Sequence, residues 1–65
     1  MNPINVLEKE ANNLGIKVGW LSLHKYTPPS ASSKYKKIAM NLNWHKQEEL
    51  IFQLAHEIAH IKNHD

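Results

Sequence analysis

The sequence predicts an α+β fold: an N-terminal helix, a short antiparallel sheet of two to three strands, and a C-terminal helix. Three observations predict it. Residues 3–14 carry helix start and stop signals around an apolar stripe. Two runs, 16–24 and 35–42, have strand character and flank a segment rich in proline and serine. The longest periodic stretch, about 44–64, repeats its apolar residues at helical spacing.

The first helix is framed by Asn2 as cap, Pro3 at the first helical position and Gly15 just past the end. Ile4, Leu7, Ala11 and Leu14 share one face, and Glu8, Lys9, Asn12 and Asn13 take the other. Residues 16–24 are apolar and partly β-branched, which reads as a strand with Gly19 a candidate bulge. Residues 26–33 contain Pro28, Pro29 and three serines, and read as a loop. In 35–42, Ile38, Met40 and Leu42 alternate with Lys37, Ala39 and Asn41. That pattern is a half-buried strand, expected to run antiparallel to the first, with its second set of residues facing out.

The last helix takes Asn43 as its expected cap and has Glu48 and Glu49 near the positive end of its dipole. Leu50, Ile51, Leu54, Ile58 and Ile61 form one stripe, and Phe52, Ala55 and Ala59 lie outside it. A helix apolar nearly all round is expected to be buried between layers. Histidines and a glutamate inside such a helix need a reason, because burying them unpartnered costs several kcal/mol.

Sixty-five residues make one small domain, 1–65, and a chain of this size buries only about 60% of the surface its unfolded form exposes. A metal or a partner commonly supplies part of the stability at this length. There is no cysteine, which excludes disulfides, thiolate zinc sites and cysteine nucleophiles. No run approaches the roughly 18 apolar residues of a membrane span, and the N-terminus lacks the pattern of a signal peptide, so a cytoplasmic location is expected. Net charge is +2, and every basic residue is a lysine. Lys34, Lys36 and Lys37 cluster, but without arginine to make bidentate contacts the expectation is a solvated surface and no direct nucleic-acid partner.

The chemistry lies in His56-Glu57-Ile58-Ala59-His60, an H-E-x-x-H sequence on the most periodic helix. Histidines at i and i+4 project from one face with Cβ atoms about 5–6 Å apart, so both imidazoles reach one Zn2+ at about 2.0–2.1 Å. Glu57 is placed to take a proton from a water that zinc brings to a pKa of about 7. His56 and His60 are thus the candidate metal ligands and Glu57 the candidate catalytic base. A zinc peptidase has three protein ligands and one open position. His64 continues the i, i+4 series but stands about 12 Å along the axis from His56. Asp65 is no better placed, and His24 and His45 read as surface residues. No glycine turn returns a third histidine, so the third ligand is expected to be missing from these residues. Trp20 and Trp44 are expected in packing roles, and Tyr26 and Tyr35 as half-exposed residues. The strand over 35–42 is the candidate edge on which a substrate segment is held by main-chain hydrogen bonds.

Residues 50–65 resemble the active helix of ImmA/IrrE-type metallopeptidases of bacteria, phages and mobile elements. The approach to it, with Leu14-Gly15-Ile16-Lys17-Val18 and Ile38-Ala39-Met40-Asn41, is similar too. The resemblance implies a zincin-like core in which this helix packs on a short antiparallel sheet, and a third ligand that is a glutamate on a later helix. It implies that residues 1–65 are the N-terminal part of a larger metallopeptidase domain. It further implies a substrate: a helix-turn-helix repressor of a phage or mobile element. The alternative is a non-catalytic module that keeps the peptidase helix and binds the repressor or a regulator.

Overall fold

The computed structural model describes residues 2–63. Its first helix, α1, spans Pro3–Asn13, with the Asn2 Oδ1 accepting from the Ile4 amide at 2.9 Å and Pro3 in the first turn. The other end closes as a Schellman motif. The Ile16 amide donates to the Ala11 carbonyl at 2.8 Å and the Gly15 amide to the Asn12 carbonyl at 3.0 Å, with Gly15 at φ +78°. Ala11 and Ile16 are both buried. A Cβ on Gly15 meets nothing within 4 Å, so the effect of Gly15→Ala is conformational alone. The variant is expected to lose about 1 kcal/mol, read as a fall of about 4–8 °C in the thermal midpoint.

Three strands follow: β1, Lys17–Leu21; β2, Ser30–Ser32; and β3, Lys37–Asn41. They lie in the order β1-β3-β2, with β1 parallel to β3 and β2 antiparallel to it. The sheet is therefore mixed, which corrects the expected antiparallel pairing of the first strand with 35–42. The chain leaving β1 does not turn back beside it. Residues 22–29 cross the Asn41 end of β3 and enter β2 at the far edge, and a turn over 33–36, with Lys36 at φ 52°, leads back into β3. Ser30, Ala31 and Ser32, read as loop, thus form a short strand. The β1–β3 register runs unbroken through Gly19 and Ala39, so the expected bulge at Gly19 is absent.

Asn41 departs furthest from the alternation. Expected on the outer face, it is fully buried. Its Nδ2 donates to the carbonyls of His24 at 2.7 Å and Thr27 at 2.9 Å, while its Oδ1 accepts from the amides of Leu23 at 3.1 Å and Asn43 at 3.0 Å. The crossing loop covers the end of β3, and Asn41 satisfies the backbone groups which that covering takes from water.

The final helix, α2, spans Leu50–Lys62 and is preceded by a 3-10 turn over Gln47–Glu49. It starts later than the expected position near Trp44, and Asn43 is not its cap. Asn43 Nδ2 instead donates to Ser22 Oγ at 2.8 Å and the Leu23 carbonyl at 3.0 Å, tying the chain to the crossing loop. The Trp44 indole donates to Glu49 Oε1 at 3.0 Å, and Gln47 Nε2 donates to the carbonyls of Leu42 and Trp44.

Both helices lie on one face of the sheet. The core is Ala11 of α1, Ile16, Ile38 and Met40 from the sheet layer, and Leu50, Leu54, Ile58 and Ile61 of α2. Trp20 packs against it with its indole donating to Glu8 Oε2 at 3.1 Å, and Trp44 packs against it too, as expected for both tryptophans. The molecule is 15 Å across its shortest dimension, room for two layers. Among the described residues no helix is long and apolar enough to cross a membrane.

Candidate functional site

Two layers give α2 one buried side, which overturns the expectation of a helix enclosed all round. Leu50, Leu54, Ile58 and Ile61 face the sheet, whereas Phe52 is 74% exposed and Ala55 and Ala59 are exposed with it. His56 and His60 are exposed as well, and Glu57 is half-buried. The desolvation argument for a metal therefore does not apply to these residues, since exposed imidazoles keep their water. Their spacing remains.

At about 100° per residue, His56 and His60 stand about 40° apart around the axis and about 6 Å along it, on the side away from the core. Gln53 and Glu57 lie between that strip and the buried stripe. Pro29, just before β2, faces this part of α2. Together with Glu49, Phe52, Gln53, His56 and Glu57 it lines an open groove of about 410 Å3. The first histidine and the carboxylate of the motif thus share a concavity with an apolar wall.

Gln53 is the residue of this groove that sequence reasoning passed over. Its Oε1 is buried and has no hydrogen-bond partner among the described residues. The available signal was its place one turn before His56 on the same side of the helix.

Two imidazoles at this spacing fit two corners of a tetrahedral zinc site, with Glu57 beside them and not competing for the metal. Among the described residues no group of three or more histidine, cysteine, aspartate or glutamate side chains is placed to hold a metal. His64 and Asp65, both weighed as ligands, lie outside the described residues. His24 and His45 are exposed, as expected, and belong to a ring cluster elsewhere. His24 Nδ1 accepts from the Tyr26 amide at 3.2 Å, and the Tyr26 ring meets those of His24 and His45 at centroid distances of 5.5 and 4.9 Å. Tyr26 and Tyr35 are 58% and 66% exposed.

The expected substrate-holding edge also moves. β3 is the central strand, its two sides taken by β1 and β2, so it has no free edge to offer. The edge strand that packs against α2 is β2, and it begins one residue after Pro29 of the groove. No protein-family model matches the chain, and no curated protein matches it.

Proposed function

We propose that α2 is the metal-binding helix of a zinc-dependent peptidase, with His56 and His60 as two ligands and Glu57 as general base. The observation that supports this reading is the division of α2 into two sides. Leu50, Leu54, Ile58 and Ile61 turn to the core, leaving His56 and His60 one turn apart on the exposed side, with His56 and Glu57 lining a groove. Bound there, zinc supplies Lewis-acid activation of water near neutral pH. Glu57 takes the proton of the attacking water at its carboxylate and passes it to the leaving amine. Phe52 and Pro29 give the groove an apolar wall for a substrate side chain, and the outer edge of β2 offers main-chain groups to an extended substrate segment. On the resemblance to ImmA/IrrE-type metallopeptidases, the substrate is a helix-turn-helix repressor of a phage or mobile element. The third ligand comes from outside the described residues.

Calorimetric titration of the metal-free chain with zinc tests the metal pair. One zinc is expected to bind, and His56→Ala and His60→Ala are each expected to weaken it by about a hundredfold or more. Lys62→Ala, on the same helix, is expected to leave it unchanged. Zinc binding no tighter in the parent than in the histidine variants would sink the reading.

A second reading, a non-catalytic module that binds the repressor or a regulator, is favoured by one observation: no third ligand accompanies the exposed pair among the described residues. In that case the zinc titration gives no difference, while repressor binding persists in both histidine variants.

A further inference from the structure

The charges of this chain are segregated by layer. Between residues 11 and 47 there is no aspartate or glutamate, and that stretch holds Lys17, Lys25, Lys34, Lys36, Lys37 and Lys46. All six acids lie outside it, on the helices, in the 3-10 turn and at Asp65. The sheet layer is therefore cationic throughout, although the net charge is only +2.

The helices cover one face of the sheet. On the other, the register sets residues in rows: Lys17 beside Lys37 beside Ser32, then Gly19 beside Ala39 beside Ser30. Leu21, 46% exposed, follows on β1. These residues line a shallow, mostly apolar depression of about 380 Å3. Lys34 and Lys36, in the turn that enters β3, stand at the same end as Lys17 and Lys37, and the Lys17 amide donates to the Lys36 carbonyl at 2.8 Å. The parallel register sets two like charges on adjacent strands, an arrangement that costs free energy unless an anion joins it. Among the described residues the one ion pair is Lys46 with Glu49 at 4.0 Å, so no carboxylate answers these four lysines.

We propose that this open sheet face is a docking surface for an acidic, partly apolar segment of a protein partner. Carboxylates of the segment pair with Lys17 and Lys37, with Lys34 in the adjoining turn, and the serine hydroxyls add donors beside them. The small residues Gly19 and Ala39 let the partner's chain approach closely, and Leu21 meets an apolar side chain. A nucleic acid fits less well. The chain has no arginine to fork onto phosphate, and the floor of the depression carries no aromatic ring on which a base stacks. The surface is built from the sheet and does not depend on His56, Glu57 or a metal.

Titration of the 15N-labelled, metal-free chain with the acetylated, amidated heptapeptide Glu-Leu-Glu-Ala-Glu-Leu-Glu tests this, read by amide chemical shifts. The Glu57→Gln background keeps the outcome independent of peptidase activity. Saturable shifts are expected at Lys17, Gly19, Ser30 and Ala39. The double variant Lys17→Glu/Lys37→Glu is expected to weaken binding by about tenfold or more, and Lys37→Ala by about threefold, with folding of each checked by the dispersion of the same spectra. Lys9→Glu, a charge reversal at one lysine of α1 and half the charge change of the double variant, is expected to have less than about a twofold effect. Any of four results overturns the proposal: no saturable binding, shifts confined to the helices, equal weakening by Lys9→Glu, or tighter binding of an oligothymidylate than of the peptide at the same salt.

Discussion

Replacing Asn41 with leucine is expected to cost about 3 kcal/mol or more and to leave much of this chain unfolded at room temperature. Leucine keeps the branching and the number of side-chain heavy atoms but is the larger residue, so the change removes all four hydrogen bonds and adds some crowding at a buried position. Two carbonyls, of His24 and Thr27, lose their donor, and two amides, of Leu23 and Asn43, lose their acceptor. Each buried backbone group left unpaired costs about 1–3 kcal/mol, moderated where the loop opens to water. The loss is not additive, because one loop movement relieves several groups together. A 65-residue domain has only about 3–10 kcal/mol in all to lose. Chemical denaturation is the measurement, with Asn43→Ala beside it. Asn43 is exposed and its side chain makes two hydrogen bonds, so its loss is expected to be about 1 kcal/mol or less. Equal effects at the two positions would mean that Asn41 does not organise the crossing.

Asn41 also marks where the sequence stopped being informative about the fold. Strand alternation places every second residue of 37–41 on one face, and for Ile38 and Met40 against Lys37 and Ala39 the rule is right. It fails at Asn41 because burial there is set by residues 22–29 crossing above it, a non-local event. The same crossing decides strand direction. Fifteen residues separate β1 from β3, enough for either an antiparallel return or a parallel crossover, and local propensity does not distinguish them. α1 was legible nearly to the residue, since Asn2, Pro3 and Gly15 act within one turn of where they stand. The start of α2 was not, because Asn43, a good cap by type, is held by Ser22 and Leu23 some 20 residues away in the chain.

The candidate site divides along the same line. The spacing of His56, Glu57 and His60 is a property of a single helix turn, and α2 keeps the two histidines on the side away from the core with Glu57 at its border. What surrounds them is not local. The exposure of Phe52, His56 and His60 follows from the two-layer architecture, which the periodicity of α2 alone does not specify. Pro29 enters the groove only because β2 crosses to the edge beside α2, and Gln53 becomes part of it for the same reason.

Glu57→Gln is expected to separate metal binding from catalysis and to have the largest effect on activity. The amide is isosteric with the carboxylate, and residue 57 is half-buried at the groove without contributing to the core, so stability is expected to change by less than about 0.5 kcal/mol. Zinc affinity is expected to stay within about threefold, because the proposed ligands are the imidazoles and not this carboxylate. Cleavage of a helix-turn-helix repressor is expected to fall by about 10²–10⁴, since glutamine neither takes a proton from water nor delivers one to the leaving amine. That range corresponds to about 3–5 kcal/mol in the barrier. The measurement is repressor fragmentation by mass spectrometry, run beside release of the repressor from its operator. If Glu57→Gln releases the repressor as well as the parent does, and neither fragments it, the helix serves binding and the peptidase reading fails. If release and fragmentation disappear together while zinc, fold and repressor binding are all retained, the carboxylate acts on the reacting water, because loss of a ligand, a folding residue or a docking residue would instead lower zinc affinity, stability or repressor binding.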